Sequence, residues 1–429
     1  MARETVGVVS ALAASLEAVW SVASDFCGAW HPAIATIRAE RDQRGALVRA
    51  FTVHGEDTVY REQLTWFSDS DRSLAYTHLE GIAGAEAYDG RISVEAGDHG
   101  GSTVRWSARV EAASPRLQEI CEGTRAIFEA GIAALSTTAL ATAATQPPVL
   151  PVPAATREMV LNGEPRLALT TTADADGPLC LFLHGIGGSR GNWLPQLTAA
   201  GSVMRAAALD LRGYGGSALG RAQSTVEDYC ADILRVKERL GAKRLVLVGL
   251  SYGSWIATSF AMRHPEMLAG LVLSGGCTGM SEARAEEREA FRVSRQMPLD
   301  AGQTPADFAP AVVNVLAGPN ASDVVRERLF ASMAAIASAT YRDALACFTN
   351  PPERFDFSRL TMPVLMMTGE HDRLAPPSEI RGVAERILDQ APRADIRYET
   401  IAGAGHVCNV EQPDIYNRIL LDFLRKLPR

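Results

Sequence analysis

The stretch Gly249-Leu-Ser-Tyr-Gly253 constrains this 429-residue chain more than any other. It follows the apolar run Arg244-Leu-Val-Leu-Val248 and precedes the helix-forming residues 254–263. An apolar β-branched run, a Gly-x-Ser-x-Gly turn and a helix-forming stretch describe a strand, a sharp elbow and a helix. The two glycines leave room for a backbone bent tightly enough to lift the serine hydroxyl above the sheet edge. The helix that starts beneath the serine offers free N–H groups and the positive end of its dipole, which favour an oxyanion. A nucleophilic serine is therefore expected at Ser251.

Strands and helices alternate around this elbow. Residues 158–161 and 166–172 flank Asn162-Gly163 and should form a hairpin. Further strands are expected at 179–183, 203–209, 268–274, 363–368 and 396–401, with helices at 192–200, 225–240, 377–390 and 413–427. Such alternation implies an α/β architecture, a mostly parallel sheet covered by helices on both faces. Residues 278–360 carry no convincing strand and read as helices at 282–296, 305–316, 322–337 and 341–348.

A chain of this length exceeds one typical core, so two domains are expected. Composition changes at Thr145-Gln-Pro-Pro-Val-Leu-Pro-Val-Pro153, where closely spaced prolines favour an extended spacer. The boundaries read as a first domain over 1–145, a linker over 146–156 and a second domain over 157–429. In the first domain, strands are expected at 4–9, 33–40, 46–53, 58–67, 73–79, 87–95 and 102–111, and helices at 15–24 and 115–143. Val104, Trp106, Ala108 and Val110 alternate with Arg105, Ser107 and Arg109, so one face of that strand is buried. A long helix across a curved antiparallel sheet would enclose an apolar cavity.

A serine hydroxyl is a weak nucleophile until a histidine takes its proton and a carboxylate orients that histidine. Asp372 in Gly369-Glu-His-Asp372 and His406 in Gly403-Ala-Gly-His406 each directly follow an expected strand, at the edge where Ser251 sits. Glu370 competes for the acid's role, and His184 and His371 are alternative bases. The loop Gly275-Gly-Cys-Thr-Gly279 contains no carboxylate. Two backbone N–H groups would hold the oxyanion, that of Tyr252 and that of Ile186 in His184-Gly-Ile-Gly-Gly188. Trp193 and Tyr252 are the candidate walls of a substrate pocket. His264-Pro265 reads as a helix end, and Gly213 to Ser217 as a structural loop, with no Gly-Lys-Ser/Thr to cradle a phosphate.

Residues from about 157 to 427 resemble an α/β-hydrolase. The resemblance rests on His184-Gly185, Asp210-Leu-Arg-Gly-Tyr-Gly-Gly-Ser217, Gly249-Leu-Ser-Tyr-Gly253, Gly369-Glu-His-Asp372 and Gly403-Ala-Gly-His406, in order and each at a strand end. It implies the chain order Ser, Asp, His and a helical cap at about 278–360. The first third of the chain resembles the START-like superfamily of polyketide cyclases and lipid-transfer proteins, at Val19-Trp20, Asp25-Phe26, Trp30-His31-Pro32, Tyr88-Asp-Gly90 and Trp106. It implies an α+β helix-grip domain that binds small apolar or aromatic ligands. His31 is either a polar handle in that cavity or part of a capped turn before Pro32.

The expected fold is thus an α/β-hydrolase with a helical cap, preceded by a START-like helix-grip domain. The resemblance implies hydrolysis of a carboxylic ester or lactone of a small, mostly apolar or aromatic molecule through an acyl-Ser251 intermediate. C–C bond hydrolysis of diketones is the rival reaction. A ligand-binding sensor with a slow hydrolase domain is the rival from another class. A net charge of −8 argues against nucleic acid and anionic membranes as partners. Cys27, Cys121, Cys180, Cys230, Cys277, Cys347 and Cys408 are scattered without a CxxC pair and read as reduced thiols. No leader and no bilayer-spanning run is recognised, so a cytoplasmic protein is expected; the serine mechanism implies no metal or organic cofactor.

Overall fold

The computed structural model describes residues 2–42, 45–97, 100–141, 154–173, 177–352, 354–391 and 395–427. The proline-rich linker expected at 146–156 lies, up to residue 153, outside the described residues. The chain divides into two units, residues 1–148 with 392–399, and residues 149–391 with 400–429.

In the first unit the strands are β1 (Ala2–Leu12), β2 (Ile34–Arg41), β3 (Leu47–Val53), β4 (Tyr60–Ser68), β5 (Ser73–Glu80), β6 (Ala85–Ala96) and β7 (Ser102–Ala112). Helix α1 (Leu16–Ala23) is capped by the Ser15 side chain, which accepts from the Ala18 N–H, and α2 is the long helix Ser114–Ala141. The strands pair antiparallel in the order β1-β7-β6-β5-β4-β3-β2. Strand β7 alternates strictly, with Val104, Trp106, Ala108 and Val110 buried. These residues face α2, where Phe128 stacks on Trp106 at a centroid distance of 4.6 Å.

The interior of this unit is not wholly apolar. Arg49 on β3 and Glu62 on β4 form a buried ion pair, with Nε to Oε2 at 2.7 Å. The guanidinium also donates to the Phe26 carbonyl and lies 4.5 Å from the Phe26 ring centroid. His31 accepts from the Ala33 N–H at Nδ1 and bonds the Ile127 carbonyl through Nε2, so backbone engages both ring nitrogens. Its imidazole titrates below the ordinary histidine range, because burial disfavours the cation.

The second unit begins with the hairpin β8 (Thr156–Leu161) and β9 (Leu167–Thr172). Its loop spans residues 162–166, longer than a two-residue Asn-Gly turn. The strands β10 (Leu179–Leu183), β11 (Ala206–Leu209), β12 (Leu245–Leu250), β13 (Leu268–Ser274) and β14 (Val364–Gly369) follow; of β15 (Ile396–Ile401), residues 396–399 count with the first unit. Strands β11, β10, β12, β13 and β14 run parallel in that spatial order, with β9 and β8 antiparallel beyond β11. Every residue of β10, β12 and β13 is buried, as a sheet covered on both faces requires. Strand β11 starts at Ala206 rather than 203, because the N–H groups of Val203 and Met204 bond the Ala200 carbonyl and prolong the preceding turn.

The helices around this sheet are α3 (Leu194–Ala200), α4 (Val226–Arg239), α5 (Tyr252–Arg263), α10 (Pro377–Gln390), α11 (Cys408–Glu411) and α12 (Pro413–Lys426). Thr225 and Asp228 form a reciprocal capping box on α4. Four helices, α6 (Ala285–Asp300), α7 (Pro305–Leu316), α8 (Asp323–Ala334) and α9 (Ser338–Phe348), fill the interval between β13 and β14. No helix among the described residues is long and apolar enough to cross a membrane.

The Arg49–Glu62 pair generates a stability prediction. Arg49→Met strands the Glu62 charge in the interior and should cost about 3–5 kcal/mol, whereas adding Glu62→Leu should recover most of the loss. Urea unfolding midpoints of the two variants beside wild type check this; equal loss in both would contradict it.

Candidate active site

The elbow is built by backbone contact. A Cβ on Gly253 would lie 2.2 Å from the Leu183 carbonyl oxygen, and one on Gly249 would lie 2.4 Å from the Gly253 carbonyl oxygen. Only glycine fits either place. Between them Ser251 adopts φ 53° and ψ −112°, a left-handed conformation that costs a non-glycine residue roughly 1–3 kcal/mol. The turn is pinned by the Ser251 N–H to the Ser274 carbonyl at 2.8 Å and by the Ser254 hydroxyl to the same oxygen at 2.9 Å.

His406 and Asp372 meet, with Nδ1 to Oδ2 at 2.8 Å and both side chains buried. The other carboxylate oxygen accepts from the Leu374 and Ala375 N–H groups at 2.8 and 2.9 Å. Burial by itself would raise the Asp372 carboxyl; the hydrogen bonds from His406, Ala375 and Leu374 outweigh it and hold the group below the usual aspartate value. The backbone N–H of His406 donates to the Leu316 carbonyl at the end of α7, at 2.7 Å.

Gly275 and Gly276 join the two halves of the site. A Cβ on Gly275 would sit 3.2 Å from the His406 ring, and one on Gly276 would sit 3.5 Å from the Ser251 Cα. Both have positive φ, 55° and 153°. From the residues alone this loop stands out only for lacking a carboxylate. Two adjacent glycines straight after β13 were the signal for a close approach.

The loop after β10 lies against the serine, since a Cβ on Gly185 would be 3.4 Å from the Ser251 Cβ. The Tyr214 hydroxyl donates to the Ile186 carbonyl at 3.0 Å, and the Ile186 N–H has no protein acceptor among the described residues. Tyr252 opens α5, so its N–H has no acceptor within the helix. His184 bonds the Gly185 carbonyl through Nδ1 and accepts from the Leu211 N–H at Nε2, which ties two strand-end loops together.

Ser251, His406, Ile186 and Tyr252 border one cavity of about 490 Å³, roofed by residues of α6, α7, α8 and α9. Trp193 and Tyr252 also border it, and both are deeply packed. Trp193 lies against Phe182 and Tyr416, and Tyr252 against Tyr229, Trp255 and Phe348. Phe291, Phe308, Val312 and Met333 line it from the cap. Of the competing residues, Glu370 is turned to the Gly403 N–H, and His371 lies on the exposed side beside Glu370. His264 caps the end of α5. Asp210 holds the loop to Ser217 through Arg190 and the Gly216 N–H. No group of three or more metal-ligating side chains exists among the described residues.

The depressed Asp372 carboxyl has a pH consequence. An ordinary aspartate titrates at 3.8, so its ionised form stabilises the fold above that value, and the contribution is lost as the pH falls through the lower native value. Asp372→Asn should therefore be less stable than wild type at about pH 7 and approach it at about pH 3. Urea denaturation of both proteins across that range checks the sign; a gap that widens towards acid would contradict it.

Residues 178–413 match the family model of the alpha/beta hydrolase fold, and residues 3–139 match that of polyketide cyclase / dehydrase and lipid transport proteins. RutD of Escherichia coli O17:K52:H18, named as a candidate carbamate hydrolase, is 28% identical over 282 residues, covering 61% of this chain and 92% of its own. A thermophilic esterase from Thermogutta terrifontis superposes with a TM-score of 0.55 at 25% identity, over 64% of this chain and 99% of that one. The enol-lactonase of Burkholderia xenovorans LB400, 21% identical with a TM-score of 0.51 over 61% of this chain and 97% of its own, shares the fold. The chain belongs to the alpha/beta hydrolase fold family and carries an N-terminal domain of the polyketide cyclase/lipid transport (START-like) type.

Proposed function

We propose that the protein is a serine hydrolase that cleaves a carboxylic ester or lactone of a small, mostly apolar molecule through an acyl-Ser251 intermediate. The observation that carries this reading is that Ser251, Ile186, Tyr252 and His406, the last bonded to Asp372, border one cavity. With Nδ1 held by Asp372, the His406 Nε2 is the nitrogen left to serve the serine. It takes the Ser251 Oγ proton as the oxygen attacks the acyl carbon. The oxyanion that forms receives the Ile186 and Tyr252 N–H groups. Its collapse breaks the bond to the leaving oxygen, which takes the proton from His406. Water, deprotonated by the same nitrogen, then releases the acid and restores Ser251. The carbamate in RutD's name presents the same kind of acyl carbon, so it falls within reach of this chemistry.

The domain boundaries we propose are 1–145, 146–156 and 157–429, with the cap at about 278–360. We assign the first domain to binding a small apolar or aromatic ligand, supported by its match to a family of polyketide cyclases and lipid-transport proteins.

Two measurements test these assignments. Labelling with a fluorophosphonate should add one adduct to wild type and none to Ser251→Ala, and that variant should lose about 10⁴-fold or more in kcat on any ester turned over. An unlabelled, folded wild type would remove the serine mechanism. Protein whose Ser251 is capped with a long-chain phosphonate should still bind a polycyclic aromatic ligand saturably, read as quenching of tryptophan fluorescence. Loss of all binding on capping would remove the ligand role of the first domain.

A further inference from the structure

One cation on the cavity wall has no anionic partner among the described residues. Arg295, on the cap helix α6, borders the cavity beside Phe291 and Tyr341. Its guanidinium stacks on the Phe291 ring at 3.5 Å from the centroid, which holds the planar group in place. Among the described residues its one hydrogen bond is to the Ser294 hydroxyl, at 3.3 Å, and no carboxylate pairs with it. Arg284, Arg292 and Arg342 each have a carboxylate partner, in Glu287, Glu289 and Asp300, and none of these three arginines borders the cavity. Half-buried and unpaired, Arg295 loses water without gaining a counter-charge, and burial pulls its guanidinium below the ordinary arginine value.

Tyr341 is the second donor at this place. Its ring packs on Phe308 at 5.5 Å, it is buried, and its hydroxyl makes no hydrogen bond among the described residues. Both residues border the cavity, where burial raises the Tyr341 phenol and the Arg295 guanidinium opposes that rise. The cavity also carries an unpaired carboxylate, Glu379 at the start of α10. Its charged neighbours are Asp372, Glu282 and Arg386, and Arg295 is not among them. An anion is therefore attracted to the Arg295 patch and repelled from the Glu379 patch, which gives the substrate a direction.

We propose that Arg295 and Tyr341 bind a carboxylate on the acyl substrate, remote from the bond that is cleaved, so that the preferred substrates are half-esters of dicarboxylic acids or lactones bearing a free acid. This rests on the serine-hydrolase reading above and narrows its substrate class. A guanidinium takes a carboxylate through parallel N–H bonds and the phenol adds a third donor, each charge-assisted. The aromatic walls hold the chain between this anchor and Ser251.

The test compares two substrates that differ in one charge, the mono-4-nitrophenyl ester of glutaric acid and its methyl-capped diester. Wild type should favour the acid in kcat/KM, and Arg295→Ala should lower that preference by about 10- to 100-fold. Arg295→Lys should keep part of it as a point charge, and Arg295→Glu should invert it. A wild-type preference for the neutral diester overturns the inference, as does a preference in Arg295→Ala within about twofold of wild type. The wild-type preference and Arg295→Lys decide the matter if the alanine variant does not fold. Turnover of both esters without preference removes this inference alone. Turnover of neither, with Ser251 unlabelled by fluorophosphonate, removes the hydrolase reading and this inference with it.

Discussion

The functional edge of the second unit depends on one backbone approach. Strand β10, strand β12 and helix α5 touch where the Leu183 carbonyl faces Gly253, at a distance that excludes even a methyl group. Close packing at that point bends the chain through Ser251 and holds it in a conformation that β12 and α5 would not adopt alone. The strain is small beside the burial of three fully enclosed strands, so the scaffold offsets it. Because the strands on either side of β12 are in register with it, Leu183 opposite Gly249 and Ser274 opposite Leu250, the neighbouring loops leave the sheet at the same height. They leave at the point where the strand order reverses, where α/β sheets open a crevice.

The same logic repeats around His406. Gly369, Gly405 and Gly318 approach one another's backbones within distances no Cβ permits, and this threads the histidine's loop between β14 and the end of α7. Glu411 closes the arrangement by accepting from the Gly405 and Gly318 N–H groups. The imidazole is thus set by main-chain contacts on one side and by a carboxylate on the other. Asp372 in turn stays ionised in a buried place because backbone N–H groups and the imidazole satisfy it. The first unit shows another solution to buried charge, in which Arg49 and Glu62 neutralise each other between aromatic rings.

Much of this was legible in the residues. Period-two alternation located β7, continuous apolar runs located the enclosed strands, and α4 and α10 begin within one residue of the expected starts at 225 and 377. Residues 203–205 misled because an apolar run does not distinguish a strand from the end of a helical turn. The first unit reads as a helix over a sheet, but an expected apolar interior gave no hint of the Arg49–Glu62 pair. Those residues lie on different strands, and alternation assigns each a face without naming its partner. Gly275 and Gly276 were read for what they lacked, and Arg295, inside the helix expected at 282–296, carries no local signal that separates it from the other arginines of that stretch.

The sequence by itself determined the α/β order of the second unit, the helix-grip order of the first, the elbow at Ser251 and the candidates Asp372 and His406 at strand ends. These follow from local rules: side-chain periodicity, turn chemistry and the steric freedom of glycine. Only the tertiary structure decided that Asp372 rather than Glu370 faces His406, that Gly275 and Gly276 lie between histidine and serine, and that Arg295 stands unpaired on the cavity wall. Each of those is a relation between side chains far apart in sequence. Neither spacing nor composition carries such a relation, because it arises when packed elements bring distant loops to one edge.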